Sequence, residues 1–325
     1  MPRRAIHDRL VKAIFRRPVH AQGLFQAILP APLTARLDFS TLARIPGSFV
    51  DPRFREKHTD LLFGLKTKDD REALVHLLFE HRSRASRWLP FDLLLYATKI
   101  LEWYRQAQPE KRSLPLVIPV ALVHDPVAQQ TLTSLDDLIG ADEALLSALG
   151  QNGLRFGVFV DDLARTDDEA LLKRAMTAAG RVTLLALKHA RSSRDMASIL
   201  LKAVTLVREI LAAEGGRGLF ALIVRYIIET RGDAEPASLA RIMSQEVNEE
   251  AGDVVMSVGD KLREQGRIEG RAQGHRELVR ELFQARFGQP SEEIERRLAG
   301  APIETLQRWG RALLTARTVE DVFSA

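Results

Sequence analysis

The chain has 325 residues, of which 46% are apolar and 28% are charged, and it contains no cysteine. Disulfides and thiolate chemistry are therefore excluded, and no apolar run approaches the ~20 residues that a membrane-spanning helix needs. The first residues are basic and amphipathic but lack the apolar centre of a signal peptide. We therefore expect a cytoplasmic protein that does not associate with membranes.

Positive charge is concentrated in the first segment, although the whole chain carries a net charge of only +4. Residues 1–58 hold 11 Lys and Arg against 4 Asp and Glu. Such a basic segment suits a polyanionic partner such as nucleic acid, but the same charges also fit a solvated helical face.

The first 165 residues predict an α/β core, with a mixed sheet flanked by helices, because strand-like apolar runs alternate with helical spacing. The hairpin strands are separated by a polar turn at Lys68–Arg71. The predicted elements in chain order are the helices Ile6–Phe15 and Gly23–Leu29, a β-hairpin within 59–83, the helix Leu89–Gln106, and the strands Leu114–His124 and Arg155–Val160.

The remainder of the chain is predicted to be helical. Residues 166–257 form a helical region that we expect to pack on the core. Residues 258–277 are charged and carry glycines at 266, 270 and 274, a pattern that predicts a linker or a loosely wound helical arm. Residues 278–325 predict a small C-terminal helical module.

Two carboxylates and a cation are predicted to meet at one edge of the sheet. If the hairpin folds about Asp70, Asp60 lies opposite Glu80, and Arg82 shares a face with Glu80 because side chains alternate along a strand. Asp60, Glu80 and the backbone carbonyl of His81 then offer the oxygen ligands that Mg²⁺ or another divalent cation such as Mn²⁺ or Ca²⁺ takes.

This constellation indicates hydrolysis of a phosphodiester bond, because a metal can polarise the phosphate and lower the pKa of the attacking water. Arg82 would neutralise charge at the scissile phosphate, but it stays protonated and cannot serve as the base. The alternative is a pair of solvated surface carboxylates, which hairpins commonly carry.

Three further residues have two interpretations each. Asp8 and Lys12 on the first helix either line the same cleft or form a helix cap and a surface ion pair. Asp161 ends a predicted strand and is either an accessory acid or a loop or cap residue.

Other classes of site find less support in the sequence. His58, His76 and His81 surround the hairpin without the spacing that is typical of zinc sites. No glycine-rich phosphate loop occurs, so we expect no nucleotide cofactor. A set of aromatic residues after the hairpin either stacks on bases or belongs to the core. These aromatic residues are Trp88, Phe91, Tyr96, Trp103 and Tyr104.

Several motifs follow one another over about the first 190 residues. They are HDRLVKAIF (7–15), PGSFVD (46–51), TDLLFGL (59–65), LLFEHRS (77–83), LPLVIPVALVH (114–124) and FVDDL (159–163), with TDDEALL after it. Through these motifs the chain resembles the Rpn family of recombination-promoting nucleases and putative transposases, also called YhgA-like.

The resemblance implies a PD-(D/E)XK nuclease-like fold and Mg²⁺-dependent DNA cleavage that promotes recombination. It assigns the first metal-binding acid to Asp60 and the second to Glu80. Arg82 stands where the family usually has Gln or Lys, which leaves metal binding in place and puts catalytic competence in question. The C-terminal module is similar to a tail found in some relatives.

Three hypotheses follow for the function. The first is a metal-dependent DNA endonuclease that uses Asp60, Glu80 and Arg82. The second is a catalytically weak or inactive protein of the same fold that binds DNA or a protein partner. A small-molecule enzyme is the third, and no cofactor loop or nucleophile motif supports it. Assembly as a homodimer is compatible with each of them.

Overall fold

A computed structural model describes residues 3–45, 59–80, 87–124, 131–189, 196–230 and 235–324. A five-stranded mixed sheet, in the order β1-β2-β3-β4-β5, is packed between helices. The strands are β1 (Leu37–Ile45), β2 (Thr59–Thr67), β3 (Glu72–Glu80), β4 (Leu116–Val123) and β5 (Phe159–Asp162). The first three strands pair antiparallel, whereas β3, β4 and β5 are parallel. The predicted α/β core with a mixed sheet is therefore confirmed.

Strand β1 was not predicted from the sequence, because a bulge interrupts its alternation. Leu37 and Phe39 are buried at odd positions, whereas the next buried residue, Leu42, is even. The register with β2 shifts between Asp38 and Ala43. Within the bulge the backbone N–H of Lys66 donates to the Thr41 hydroxyl at 2.8 Å, so a side chain replaces a ladder hydrogen bond.

The hairpin between β2 and β3 is confirmed, but its register differs from the prediction. Asp60 pairs with Leu78, so it does not lie opposite Glu80. The loop is closed by the Thr67 N–H, which donates to the Arg71 carbonyl at 2.8 Å, and Asp70 takes a left-handed conformation with φ of 62°. A three-residue loop that ends in a left-handed residue is centred on Asp69, one residue before the predicted centre.

One face of the sheet is covered by α4 (Leu89–Ala107), the helix between β3 and β4. Its residues Ile100 and Tyr104 belong to the same buried cluster as Leu62 of β2 and Leu74 of β3. The opposite face carries Phe63, whose ring meets Phe25 edge-on at a centroid distance of 5.4 Å. The sheet is thus sandwiched, and even-numbered positions of β2 and β3 lie on the α4 side.

Helices precede the sheet and follow it. Before it come α1 (Arg3–Phe15), α2 (Pro18–Ile28) and α3 (Ala31–Thr34), and α5 (Glu143–Leu149) lies between β4 and β5. The helical region after the sheet comprises α6 (Asp168–Lys173), α7 (Ala178–His189), α8 (Met196–Leu201), α9 (Val204–Ala212), α10 (Gly216–Thr230) and α11 (Pro236–Glu246). Helix α1 packs against both α7 and α10, so the helical region joins the core.

A cluster of charges fixes the start of this helical region. Asp168, at the first turn of α6, accepts hydrogen bonds from three side chains, namely Lys188 at 2.8 Å, His189 at 2.7 Å and Lys202 at 2.8 Å. Burial on its own would raise the pKa of the Asp168 carboxyl, but these hydrogen bonds outweigh it and hold that pKa well below its usual range.

The chain divides into two compact units, Met1–Met256 and Ser257–Ala325. The division falls within α12 (Glu249–Phe287), so the segment 258–277 is part of one continuous 39-residue helix. The second unit has its own apolar core, which includes Phe283, Leu306 and Trp309. Its remaining helices are α13 (Glu292–Gly300), α14 (Ile303–Leu313) and α15 (Val319–Ser324). In the described part of the chain, no helix has the length and apolarity needed to span a membrane.

Candidate active site

The candidate site lies at the edge of the sheet where β2 begins and β3, β4 and β5 end. Asp60 is the second residue of β2 and Glu80 is the last residue of β3. Because Asp60 pairs with Leu78, position 80 is the diagonal neighbour of position 60 on the same face. Diagonal neighbours on an antiparallel pair are about 7–8 Å apart. The backbone therefore brings the two predicted metal-binding positions together.

The other two predicted members of the site, Arg82 and the backbone carbonyl of His81, lie outside the described residues. Their roles stay predictions, as do those of the Asp60 and Glu80 carboxylates. What the backbone register gives is that positions 60 and 80 share one face of the sheet as diagonal neighbours.

Asp161 lies on the opposite face of the sheet from positions 60 and 80. It pairs with Leu122 of β4, and Leu122 pairs with Phe79 of β3. Position 79 is odd-numbered, so Asp161 lies on the face opposite to the even-numbered positions of β3. Its two carboxylate oxygens accept hydrogen bonds from the Arg174 guanidinium at 2.6 and 2.8 Å. Both side chains are buried, with only 6% and 14% of their surface exposed. This bidentate pair ties β5 to the segment after α6, a contact that itself accounts for a buried acid at this position.

Asp162, rather than Asp161, is the acid of β5 that lies on the face of positions 60 and 80. It pairs with Val123, which in turn pairs with Glu80. Its Oδ1 accepts a hydrogen bond from the backbone N–H of Ala164 at 3.0 Å, and its Oδ2 lies 3.3 Å from Nε of Arg165. The sequence alone does not show which of the two acids lies on this face, because adjacent residues can be assigned to faces only when the strand register is known.

Helix α1 carries a buried histidine next to the two candidate residues Asp8 and Lys12. Nδ1 of His7 lies 2.7 Å from the hydroxyl of Tyr226 in α10, so this histidine connects two helices inside the protein. Asp8 is half-buried and Lys12 is exposed near the end of α1. The contribution of Asp8 and Lys12 to the site stays a prediction.

Among the hairpin histidines, His76 is buried on the α4 side, where its ring lies 5.1 Å from that of Tyr96. The other two, His58 and His81, fall outside the described residues. Within the ranges that the structure describes, no group of three or more His, Cys, Asp or Glu side chains is placed to hold a metal ion.

The aromatic residues of the α4 region divide into two groups. Tyr96 and Tyr104 are buried in the core, with 2% and 7% of their surface exposed. Trp88 and Phe91, at the start of the helix, are 51% and 42% exposed. The core interpretation is confirmed for Tyr96 and Tyr104, and stacking of Trp88 and Phe91 on bases stays a prediction.

The structure is thus an α/β protein in which the open end of a β-hairpin, with acids at positions 60 and 80, lies beside the carboxyl ends of parallel strands. Residues 5–217 match the family model described as putative transposase, YhgA-like, and this match covers more than half of the chain. The chain belongs to that family, as the motifs of the sequence indicate.

Three relatives from Escherichia coli have names that refer to nuclease activity. The recombination-promoting nuclease RpnA of strain K12 is 28% identical over 265 residues, which cover 80% of this chain and 84% of the relative. The recombination-promoting nuclease RpnD of strain O157:H7 is 29% identical over 62% of this chain and 74% of its own length. A further K12 relative, 27% identical over 62% of this chain and 64% of its own length, is named inactive recombination-promoting nuclease-like protein RpnE. No solved structure matches the chain.

Proposed function

We propose that this protein is a Mg²⁺-dependent DNA endonuclease of the recombination-promoting type, with its metal site at positions 60 and 80. The observation that carries the proposal is the hairpin register, which makes these positions diagonal neighbours on one face of the sheet. The names of RpnA and RpnD support nuclease activity, and the family description supports a role in DNA rearrangement.

In this proposal Asp60, Glu80 and the carbonyl of His81 hold the divalent cation, and Mn²⁺ or Ca²⁺ can take the place of Mg²⁺. The metal, when bound, polarises the scissile phosphate and lowers the pKa of the attacking water. Arg82 stabilises the negative charge that develops on the phosphate, and it holds its proton throughout. The proton of the water then passes to a carboxylate, to bulk solvent or to the substrate.

A second candidate function is DNA or protein binding without cleavage. Two points favour it: the family resemblance sets Arg82 at a position where it implies Gln or Lys, and one relative of similar identity is named inactive. An Arg is bulkier than either residue and cannot relay a proton. In this alternative the metal positions are retained and catalysis is weak or absent.

The experiment that separates the two is a plasmid-nicking assay with and without Mg²⁺. The wild type is compared with the double variant Asp60→Asn, Glu80→Gln, which removes both charges and keeps the side-chain shapes. The matched control is Asp70→Asn at the other end of the same hairpin, where the ion pair with Lys66 is exposed and contributes little.

Metal-dependent nicking that is lost in the double variant and kept in the control would support the proposed site. Nicking that persists in the double variant would refute the assignment of Asp60 and Glu80. A wild type that binds DNA and does not nick it would favour the second candidate function, and restoring nicking with Arg82→Lys would then identify Arg82 as the cause.

A further inference from the structure

Two large aromatic side chains at the start of α4 are exposed, although the other described aromatic residues of this helix are partly or fully buried. Trp88 precedes the helix and Phe91 lies in its first turn, 51% and 42% exposed respectively. Residues three apart at a helix start lie on the same side of it. The two rings therefore lie on one side of the helix start and form one exposed aromatic surface.

This aromatic surface lies at the same sheet edge as the candidate active site. Leu89, the residue after Trp88, belongs to the same buried cluster as Ala121 and Val123 at the end of β4. Val123 pairs with Glu80, and neighbouring strands are about 4.8 Å apart. The packing of Leu89 thus holds Trp88 near the position of the second predicted metal-binding acid.

A cation accompanies the aromatic surface. The guanidinium carbon of Arg87 lies 5.1 Å from the centre of the Trp88 ring, on one face of the indole. An aromatic ring next to a guanidinium offers a nucleobase a stacking surface and offers the adjoining phosphate a positive charge. A purely apolar protein partner would gain nothing from this charge.

We propose that Trp88 and Phe91 stack on an unpaired base next to the scissile phosphate, so that the enzyme acts on single-stranded or locally unpaired DNA. This inference rests on the proposed function, because it assigns a substrate class to the same site. The bases of an intact duplex are stacked on one another and do not offer a free face, whereas every unpaired base does.

The test measures binding in EDTA, so that the readout does not depend on cleavage. Full-length protein is titrated into a fluorescein-labelled oligothymidylate of about 20 nucleotides and, separately, into a duplex of the same length, with anisotropy as the signal. The variants are Trp88→Ala, Phe91→Ala and their combination. Leu114→Ala is the matched control, since Leu114 is 56% exposed just before β4, at the other end of the sheet.

Each single variant should weaken binding to the oligothymidylate about ten-fold, which corresponds to the loss of one stacking contact between a base and an aromatic ring. Trp88→Phe keeps a ring and should retain most of the affinity, and Leu114→Ala should bind like the wild type. Binding to the duplex should change much less in every variant. Unchanged melting temperatures exclude a folding defect as the cause.

The inference is overturned if the wild type does not bind the oligothymidylate, or if the combined variant binds it as tightly as the wild type. It is also overturned if the combined variant changes the oligomeric state and leaves DNA affinity unaltered, because the surface would then contact a second copy of the chain. Neither result depends on the nicking assay, so the failure of this inference and the failure of the proposed function can be told apart.

Discussion

Replacing Asp161 with Asn distinguishes a structural acid from a catalytic one. In the wild type both carboxylate oxygens accept hydrogen bonds from Arg174, and the two side chains are 6% and 14% exposed. Removing the charge of one partner leaves a buried guanidinium without compensation, which costs about 3–5 kcal/mol. For a compact unit of this size, that loss lowers the melting temperature by about 10 °C.

The assay combines a thermal melt of the full chain with plasmid nicking well below the lower melting temperature. The neighbouring variant Asp162→Asn is the comparison for stability. Asn can still accept the hydrogen bond from the backbone of Ala164, and the ion pair with the half-exposed Arg165 is worth at most about 1 kcal/mol. Asp161→Asn should therefore melt much earlier than Asp162→Asn and should nick DNA at close to the wild-type rate.

The reasoning fails if Asp161→Asn melts like the wild type and has lost nicking activity. That result would make Asp161 an accessory acid, as the sequence alone allows, and would mean that its pairing with Arg174 contributes nothing to stability. Repeating the melt with Arg174→Gln gives an independent check. The structural interpretation requires both variants to lose stability, and the double variant to lose less than their sum.

Two further predictions concern stability. Asp168→Asn should destabilise the first unit by about 3–5 kcal/mol, because Lys188 and Lys202 lose the carboxylate that they pair with and His189 loses a hydrogen-bond acceptor with negative charge. Asp167→Asn next to it keeps its role as an N-cap and should be nearly neutral. The folded-state pKa of Asp168 is depressed, so the stability that its carboxylate contributes is fully present above about pH 4 and is lost as the pH falls further. A pH series of thermal melts should therefore show the stability difference between the wild type and Asp168→Asn shrinking on acidification. A stability difference that grows on acidification would contradict this prediction. Alanine in place of any of three glycines in α12 should stabilise the helix by about 1 kcal/mol, measured as slower amide exchange over 260–277, because an added Cβ there meets no described atom within 4 Å. These glycines are Gly266, Gly270 and Gly274. Faster exchange would instead show that their small size is needed for a contact.

Periodicity was sufficient to predict the sheet and the hairpin, but it did not fix the register. The left-handed backbone of Asp70 closes a three-residue loop centred on Asp69, whereas the predicted turn at Lys68–Arg71 was centred on Asp70. Strand β1 was missed for a related reason, since its bulge at Thr41 moves the buried residues from odd to even positions. Both features are local deviations of the backbone from regular strand geometry, and the alternation of apolar residues carries no information about them.

The hairpin register error leaves positions 60 and 80 on one face of the sheet, because side chains alternate faces along a strand. Moving the hairpin centre by one residue changes the partner of Asp60 from Glu80 to Leu78, two positions away. Positions two apart share a face, so the two acids stay on one side of the sheet as diagonal neighbours. For Asp161 and Asp162 a difference of one position is decisive, since adjacent residues of a strand lie on opposite faces. A whole-residue error in the hairpin centre therefore keeps positions 60 and 80 on one face, whereas the choice between two adjacent acids needs the register of the whole sheet.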